Sequence, residues 1–283
     1  MRKLVRRLRS NVRGALFSIF KIWLRVRPTT GYLSCAGRSD GGGAQLHATL
    51  STQLLCNDFK IQYLHTPFSS IEHKPANWSE KEWLEKWENY LDLGDGFPTR
   101  SQIDYKNFEI VSAKSPLEAV ARLLKNRSRK VIVEVRECHD YADRHAKNYQ
   151  SIISKYQTDQ KSPIIAVHVR RGDVTSSHQT FRFTSAENIK SHIGQVINDF
   201  PNNENEVVLY SASSDSDLTE LSKFDWKLDT SSNVFEVLNA LRSAEIQVMS
   251  KSSLSYIGAL FSSGVVYYQR FWHSPLPGWK LLK

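Results

Sequence analysis

The 283-residue sequence is poor in cysteine and has no uninterrupted apolar run long enough to span a membrane. Its three cysteines, Cys35, Cys56 and Cys138, are odd in number and widely spaced, which is typical of neither a disulfide framework nor a metal-binding motif. This pattern favours a reducing compartment. The apolar stretch at residues 15–24 is interrupted by Lys21 and is shorter than the ~20 residues that a spanning helix needs.

Acidic residues are absent from residues 1–28, which contain nine lysines and arginines. The whole chain has 38 basic and 29 acidic residues and a formal net charge of +9, so the remaining sequence is balanced at 29 against 29. A neutral body argues against a generally basic nucleic-acid-binding surface, and we expect no nucleic-acid partner.

The basic segment predicts a membrane contact. No small-residue cleavage site follows its apolar stretch, which argues against a cleaved signal peptide. We expect residues 1–28 to form a basic amphipathic helix that lies on an anionic membrane, which implies a cytoplasmic, peripheral location. The alternatives are a helix packed on its own domain and a type II anchor in the secretory pathway.

No repeat or low-complexity segment occurs, and after residue 28 short apolar runs alternate with helical patterns. Predicted strands lie at 31–35, 61–64, 131–135, 164–169, 207–211, 246–249 and 265–268. Predicted helices lie at 44–50, 83–91, 115–125, 139–157, 185–199, 216–223, 233–243 and 253–262. Capping boxes are predicted at Ser79/Glu82 before the second of these helices and at Thr184/Glu187 before the fifth. Strands that alternate with helices predict an α/β fold with a parallel sheet covered on both faces. A polar segment at 158–163 predicts a linker.

Two adjacent arginines follow the apolar strand predicted at 164–169, in the segment Arg170-Arg171-Gly172-Asp173. Ligands of open α/β sheets bind at the carboxyl ends of such strands. Guanidinium groups are rigid, permanently charged forks that suit a phosphate or diphosphate. The segment therefore predicts a site for a phosphorylated small molecule, with solvated surface ion pairs as the alternative.

Two further loops suit an anion. The segment 250–256 follows another predicted strand, and its serines can either cap the next helix or present hydroxyl and N–H groups to a phosphate. The glycines at 41–43 precede a predicted helix and allow a ligand to approach the backbone closely. They match neither the dinucleotide-binding nor the Walker fingerprint, so a plain flexible turn is an equal alternative.

Four segments together resemble motifs of the fucosyltransferase superfamily, which includes α1,2-, α1,6- and protein O-fucosyltransferases. Residues 166–173 resemble its His-x-Arg-Arg-x-Asp motif, and residues 244–259 resemble its later serine-rich motif. Residues 207–215 occupy the place of its intervening strand, and residues 41–45 stand where it often carries Gly-x-Gly-Asn-Gln.

The resemblance implies two facing Rossmann-like domains of the GT-B type, an acceptor-side domain at 29–158 and a nucleotide-sugar-binding domain at 159–283. It further implies inverting, metal-independent transfer of fucose from GDP-fucose to a hydroxyl of a glycan or glycolipid, without a cofactor. Another nucleotide sugar as donor, or a noncatalytic anion- or glycan-binding protein, are the alternatives.

The resemblance also assigns site residues. Arg171 and Arg170 would hold the diphosphate and stabilise the GDP leaving group, and preorganised guanidinium groups suit the charge that develops there. His178 stands near the position of a glutamate in the α1,6 enzymes and is a candidate base, as are Asp40 and His47 beside the glycines. The residues assigned to substrate binding are His168, Asp173, Ser252, Ser253, Asp215, Gly42, Gly43 and Gln45.

Overall fold

The computed structural model describes residues 12, 14–24, 29–35, 37–136, 138, 165–201 and 206–283. The chain divides into two compact units, Met1–Arg144 and His145–Lys283. The predicted helix at 139–157 and the predicted linker at 158–163 lie largely or wholly outside the described residues.

The first unit has a four-stranded parallel sheet. Its strands are β1 (Tyr32–Cys35), β2 (Gln62–Leu64), β3 (Glu109–Ala113) and β4 (Val131–Val135), in the order β2-β1-β4-β3. Its helices are α1 (residues 14–24), α2 (Gly42–Phe59), α3 (Glu80–Leu91) and α4 (Pro116–Lys125). Short 3₁₀ turns span Arg100–Gln102 and Tyr105–Asn107.

The start of α3 shows how the sequence specifies a helix. The Ser79 hydroxyl accepts a hydrogen bond from the Glu82 backbone N–H, and the Glu82 carboxylate accepts one from the Ser79 N–H, which completes the predicted capping box. Trp83, Trp87 and Leu91 then recur at helical spacing and are all buried. These aromatic side chains belong to the core of the first unit.

The second unit has a six-stranded parallel sheet. Its strands are β5 (Ile165–Val169), β6 (Val207–Ser211), β7 (Lys227–Asp229), β8 (Ile246–Val248), β9 (Val265–Tyr268) and β10 (Lys280–Leu281). The strand order is β10-β9-β8-β5-β6-β7, which is the order of a Rossmann sheet. Its helices are α5 (Ala186–Asp199), α6 (Ser216–Thr219), α7 (Val234–Ser243) and α8 (Ser253–Leu260), and 3₁₀ turns span Thr180–Arg182 and Glu220–Lys223.

Both faces of β5 are covered, which explains its uninterrupted apolar sequence. Ile165 and Val167 belong to one buried cluster with Ile193 of α5. Ala166 belongs to a second cluster with Leu241 of α7. The alternation of side chains along a strand therefore places successive residues of β5 in two different cores. The predicted α/β class with two Rossmann-like units is confirmed.

Some elements differ from the predictions. The strands β3, β7 and β10 were not predicted, because β3 and β7 begin with charged residues and β10 has only two residues. Helix α2 is longer than the predicted 44–50 segment and continues to Phe59. Helix α5 is capped by Ser185, whose hydroxyl accepts from the Asn188 N–H, so the predicted cap at Thr184 is wrong.

Candidate functional site

The strand order creates a crevice in the second unit. Strand β5 pairs with both β8 and β6, so the chain leaves β5 toward one edge of the sheet and leaves β8 toward the other. The loops at the carboxyl ends of β5 and β8 therefore diverge. In open parallel sheets this switch point is where ligands bind, and both the arginine segment and the serine segment begin there.

A small pocket lies at these strand ends. Apolar residues of β5 and β8 line its floor, including Val167 and Val248. Its polar lining consists of His168, Thr184, His192, Ser250 and Gln269. The Thr184 hydroxyl donates to the Gln269 side-chain oxygen at 3.1 Å and joins two sides of the pocket.

A buried hydrogen bond connects the two central strands across the crevice. His168 lies near the end of β5, and Ser250 lies two residues after β8. The His168 Nδ1 is 2.8 Å from the Ser250 Oγ. Burial, with the nearby positive charge of Arg170, lowers the pKa of His168 to about 3. The imidazole is therefore neutral at physiological pH and holds the two loops together as a polar, uncharged group.

Arg171 is the most buried charged residue of the predicted motif, with 2% of its surface exposed. Its Nε donates to Asp215 and its Nη2 to Asp217, both at 2.8 Å. The Nη1 and Nη2 groups also donate to the carbonyl oxygens of Arg170 and Thr184 at 3.0 Å, and the guanidinium carbon lies 4.2 Å from the Phe183 ring centroid. All three nitrogens of the guanidinium are thus used within the chain.

These contacts show which residues surround Arg171 and Asp215. Arg171 ties the loop after β5 to the loop after β6, and its fork is not directed into the pocket. Asp215 accepts from Arg171 and also caps α6 through the Leu218 N–H at 2.8 Å. Asp217, which we did not predict, accepts from Arg171 and from the Ala186 N–H at the start of α5. This geometry gives Arg171 and Asp215 partners within the chain, and their predicted roles in catalysis and substrate binding stay predictions.

Arg170 points into a different environment from that of its neighbour. Its Nη2 donates to Asp173 at 2.7 Å, and its side chain is 17% exposed. The Arg182 Nη1 lies 3.8 Å from the same Asp173 oxygen. One carboxylate therefore faces two guanidinium groups, and the cluster of these three side chains carries an excess of positive charge.

Lys251 adds a third cationic group. Burial lowers the pKa of its ammonium group. Burial, together with the nearby charge of Lys251, also lowers the pKa of His192 in the pocket wall. Arg182, Lys251 and His192 were not predicted as site residues. They lie far apart in the sequence, so no sequence motif groups them.

The serine segment both caps α8 and faces aromatic residues. Ser252 Oγ accepts from the Leu254 N–H at 3.2 Å, so Ser252 is the N-cap. Ser253 Oγ lies 3.3 Å from His273 Nε2, which also accepts from the Trp272 indole N–H at 3.0 Å. The cap is a finding of the structure, while phosphate contact by Ser252 and Ser253 stays a prediction.

An exposed pair of aromatic rings lies next to His273. Phe181 is 61% exposed and Trp272 is 45% exposed, and their ring centroids are 5.8 Å apart. The Arg182 guanidinium lies 5.0 Å from the centroid of the Trp272 ring. Large exposed aromatic rings beside a cation can stack on the face of a base or a sugar.

His178 lies in an exposed turn. Its backbone N–H donates to the Thr175 hydroxyl at 2.9 Å, and its carbonyl accepts from the Thr175 N–H at 3.0 Å. The described contacts of this turn are local, and no described contact connects His178 to the pocket. Its role as a base stays a prediction.

The predicted glycine segment lies in the first unit, where its residues have packing roles. A Cβ on Gly42 would lie 2.4 Å from the Trp87 ring, so only glycine fits there. Gly43 is buried in the same first turn of α2. Gln45 Nε2 donates to the carbonyl oxygens of Asp40 and Ser70 at 2.6 and 2.8 Å and joins two loops. Substrate contacts by these residues stay predictions.

The other two candidate bases differ in exposure, since the Asp40 side chain is 37% exposed and His47 is buried. Asp40 forms an ion pair with Arg38, and His47 is fully buried in α2. Among the described residues, no group of three or more His, Cys, Asp or Glu side chains could hold a metal ion.

No protein-family model matches this chain, and no curated protein matches it in sequence. Among solved structures, the chain is similar to POFUT1 in complex with GDP, with a TM-score of 0.44 and 9% identity over 84% of this chain and 96% of that one. It is also similar to the E. coli heptosyltransferase WaaC with ADP-2-deoxy-2-fluoro heptose (TM-score 0.43, 12% identity, 89% and 92% coverage). The E. coli ADP-heptose lipopolysaccharide heptosyltransferase II matches with a TM-score of 0.37 and 11% identity, over 88% and 86%. Scores and identities this low assign neither a family nor a substrate.

Proposed function

We propose that the chain is a glycosyltransferase whose second unit binds the diphosphate of a nucleotide sugar at the crevice between β5 and β8. One observation carries this proposal. The arginine and serine segments, about 80 residues apart in the sequence, lie at the carboxyl ends of two adjacent strands at the switch point of a Rossmann sheet.

The charges around the crevice suit this chemistry. Departure of a nucleoside diphosphate builds negative charge on the phosphate nearest to the sugar, and fixed cations stabilise that charge. Arg170, Arg182 and Lys251 supply positive charge, and Asp173 orients the first two. The neutral His168 and the Ser250 hydroxyl bring polar groups to the pocket wall without adding charge.

Fucose from GDP-fucose is the proposed donor group. Support for this finer assignment comes from the resemblance of residues 166–173 and 244–259 to fucosyltransferase motifs. Arginines recognise a diphosphate and do not distinguish the sugar attached to it. The exposed rings of Phe181 and Trp272 offer a stacking surface to the base or to a sugar of the glycan or glycolipid acceptor.

Isothermal titration of the full chain tests this assignment. GDP-fucose, GDP-mannose, UDP-sugars, ADP-sugars and free GDP form the ligand panel. We expect GDP and GDP-fucose to bind, and GDP-fucose to be hydrolysed or transferred. Binding of an ADP- or UDP-sugar alone would change the proposed donor but leave the proposed transferase function in place. Absence of binding heat with every nucleotide would overturn the proposed function.

The proposed mechanism assigns charge stabilisation to arginine and needs no metal. Transfer should therefore continue at an unchanged rate when EDTA is added, and the product should have the inverted anomeric configuration. The rate with and without EDTA, and the anomeric coupling in the NMR spectrum of the product, check these two expectations. Loss of activity in EDTA that Mg²⁺ or Mn²⁺ restores would contradict the first.

A further inference from the structure

Helix α1 has two different apolar sides. On one side the Phe17 ring lies 5.7 Å from the Phe59 ring of α2 in an edge-to-face arrangement, and Leu24 is only 3% exposed. These contacts attach α1 to the first unit. They fix the orientation of the rest of the helix.

The other side of α1 is apolar and exposed. Ile19 is 48% exposed, Ile22 is 63% exposed and Trp23 is 48% exposed. Val12, which is also helical, is 59% exposed. Steps of seven, three and four residues place these four side chains on one face of a helix, away from the positions of Phe17 and Leu24. Four large apolar side chains along one face form a surface that water solvates poorly.

The sequence around α1 identifies the occupant of this face. Basic residues precede the helix at Arg9 and Arg13 and follow it at Arg25 and Arg27, and residues 1–28 contain no carboxylate side chain. Cations at both ends of an apolar stripe complement the phosphate groups of an anionic lipid surface, where long basic side chains reach the headgroups. In the part of the chain that the structure describes, no helix is long and apolar enough to cross a membrane.

We propose that α1 is a membrane-docking helix, in which Ile19, Ile22 and Trp23 enter an anionic lipid surface while Phe17 and Leu24 hold the helix on the first unit. The helix lies in the plane of the membrane, so docking brings the first unit to the surface. This inference does not depend on the donor or on any transferase activity. It concerns only the first unit and its amino-terminal segment.

Co-sedimentation of the full chain with vesicles tests the proposal. Vesicles of phosphatidylcholine alone are compared with vesicles that contain one third phosphatidylserine, at low and high salt. The double variant Ile22→Ser/Trp23→Ser removes two of the four exposed apolar side chains and leaves Phe17 and Leu24 in place. The matched control is Ile110→Ser, which removes an isoleucine of β3 that is 44% exposed.

We expect the wild type and the Ile110→Ser control to sediment with the anionic vesicles at low salt, and the double variant to lose at least ten-fold in apparent affinity. Circular dichroism should show the same fold for all three proteins. Failure of the wild type to sediment, or equal sedimentation of the double variant, would overturn the proposal. A dimer that the double variant converts to a monomer would overturn it as well, since a second copy would then cover this face.

Discussion

Two adjacent arginines of the sequence have different environments in the structure. Arg171 is buried against Asp215 and Asp217, whereas Arg170 stays partly exposed beside Asp173 and near Arg182. Successive residues after a strand point in different directions, so a sequence motif alone does not show which arginine faces the ligand. Arg171 therefore has contacts that stabilise the fold, and ligand contact by either arginine stays a prediction.

Replacement of Arg171 should affect stability more than ligand chemistry. Arg171→Ala leaves Asp215 and Asp217 without their cation, and because these carboxylates are about one third exposed we expect a loss of about 2–4 kcal/mol in the free energy of unfolding. Arg171→Lys restores only part of this, because one ammonium group cannot replace the fork. Urea unfolding measures both values. A stable Arg171→Ala protein that has lost only transfer would return the catalytic role to Arg171.

Replacement of Arg170 should show the opposite pattern. We expect Arg170→Ala to weaken GDP binding about 10- to 100-fold, the effect of losing one or two hydrogen bonds to a charged group, and to change the unfolding free energy little. The control is Arg129→Ala, because Arg129 belongs to the first unit and its side chain is 71% exposed. Titration calorimetry gives the affinities. Equal GDP affinity in wild type and Arg170→Ala would remove Arg170 from the site.

The buried imidazole of His168 predicts a pH dependence of stability. Its pKa is about 3 in the folded state, against an ordinary value near 6.5, so the unfolded chain binds the proton more readily between these pH values. Stability is therefore fully present above about pH 6.5 and falls as the pH drops toward 3, by up to about 1.4 kcal/mol per pH unit. His168→Asn, which keeps a polar group near Ser250, should flatten this slope. Unfolding measured at pH 7, 6 and 5 checks the prediction, and identical slopes would contradict it.

At the scale of single elements, continuous apolar runs were reliable signals, whereas only one of the two predicted capping boxes, the one at Ser79, is present. Strands β4, β6 and β9 match their predicted bounds, because their apolar residues fill buried positions. The capping boxes at Ser79 and at Asn233 start α3 and α7 where the structure has them, although only the first was predicted. Short edge strands such as β7 and β10 carry polar residues, and tertiary pairing alone selects their conformation.

The start of α2 gives a test at this scale. Gly42→Ala would push a methyl group against the Trp87 ring, and we expect a loss of about 1–3 kcal/mol. Gly41 is the matched control, because its φ of −63° suits any residue and its nearest neighbour, a carbon of His73, lies 3.7 Å away from an added Cβ. Gly41→Ala should change the stability by no more than about 0.5 kcal/mol.

The result is read from urea unfolding followed by tryptophan fluorescence, with GDP titrations on both variants. If Gly42→Ala kept full stability but lost nucleotide binding, the glycine segment would be a ligand loop, as its resemblance to the fucosyltransferase motif implied. If Gly42 is needed only for its packing against Trp87, Gly42→Ala loses stability and the folded protein still binds the nucleotide.

For the whole molecule, the charge count located the basic excess in residues 1–28, and the α/β class followed from the alternation of elements. The pairing of β5 with β8 could not be predicted, since sequence periodicity does not reveal strand order. The sequence also did not reveal that Phe17 and Leu24 pack on the first unit. Because of this packing, removal of residues 1–28 would expose part of the core, so point variants test the membrane surface more cleanly.

The central claim is that the crevice between β5 and β8 binds a nucleotide diphosphate, and hydrogen exchange measured by mass spectrometry tests it most directly. The full chain is compared with and without saturating GDP. We predict slower exchange in peptides that cover residues 168–174 and 249–254, with no comparable change at 41–47. Binding that protects the glycine segment and leaves both strand ends of the second unit unchanged would contradict the account.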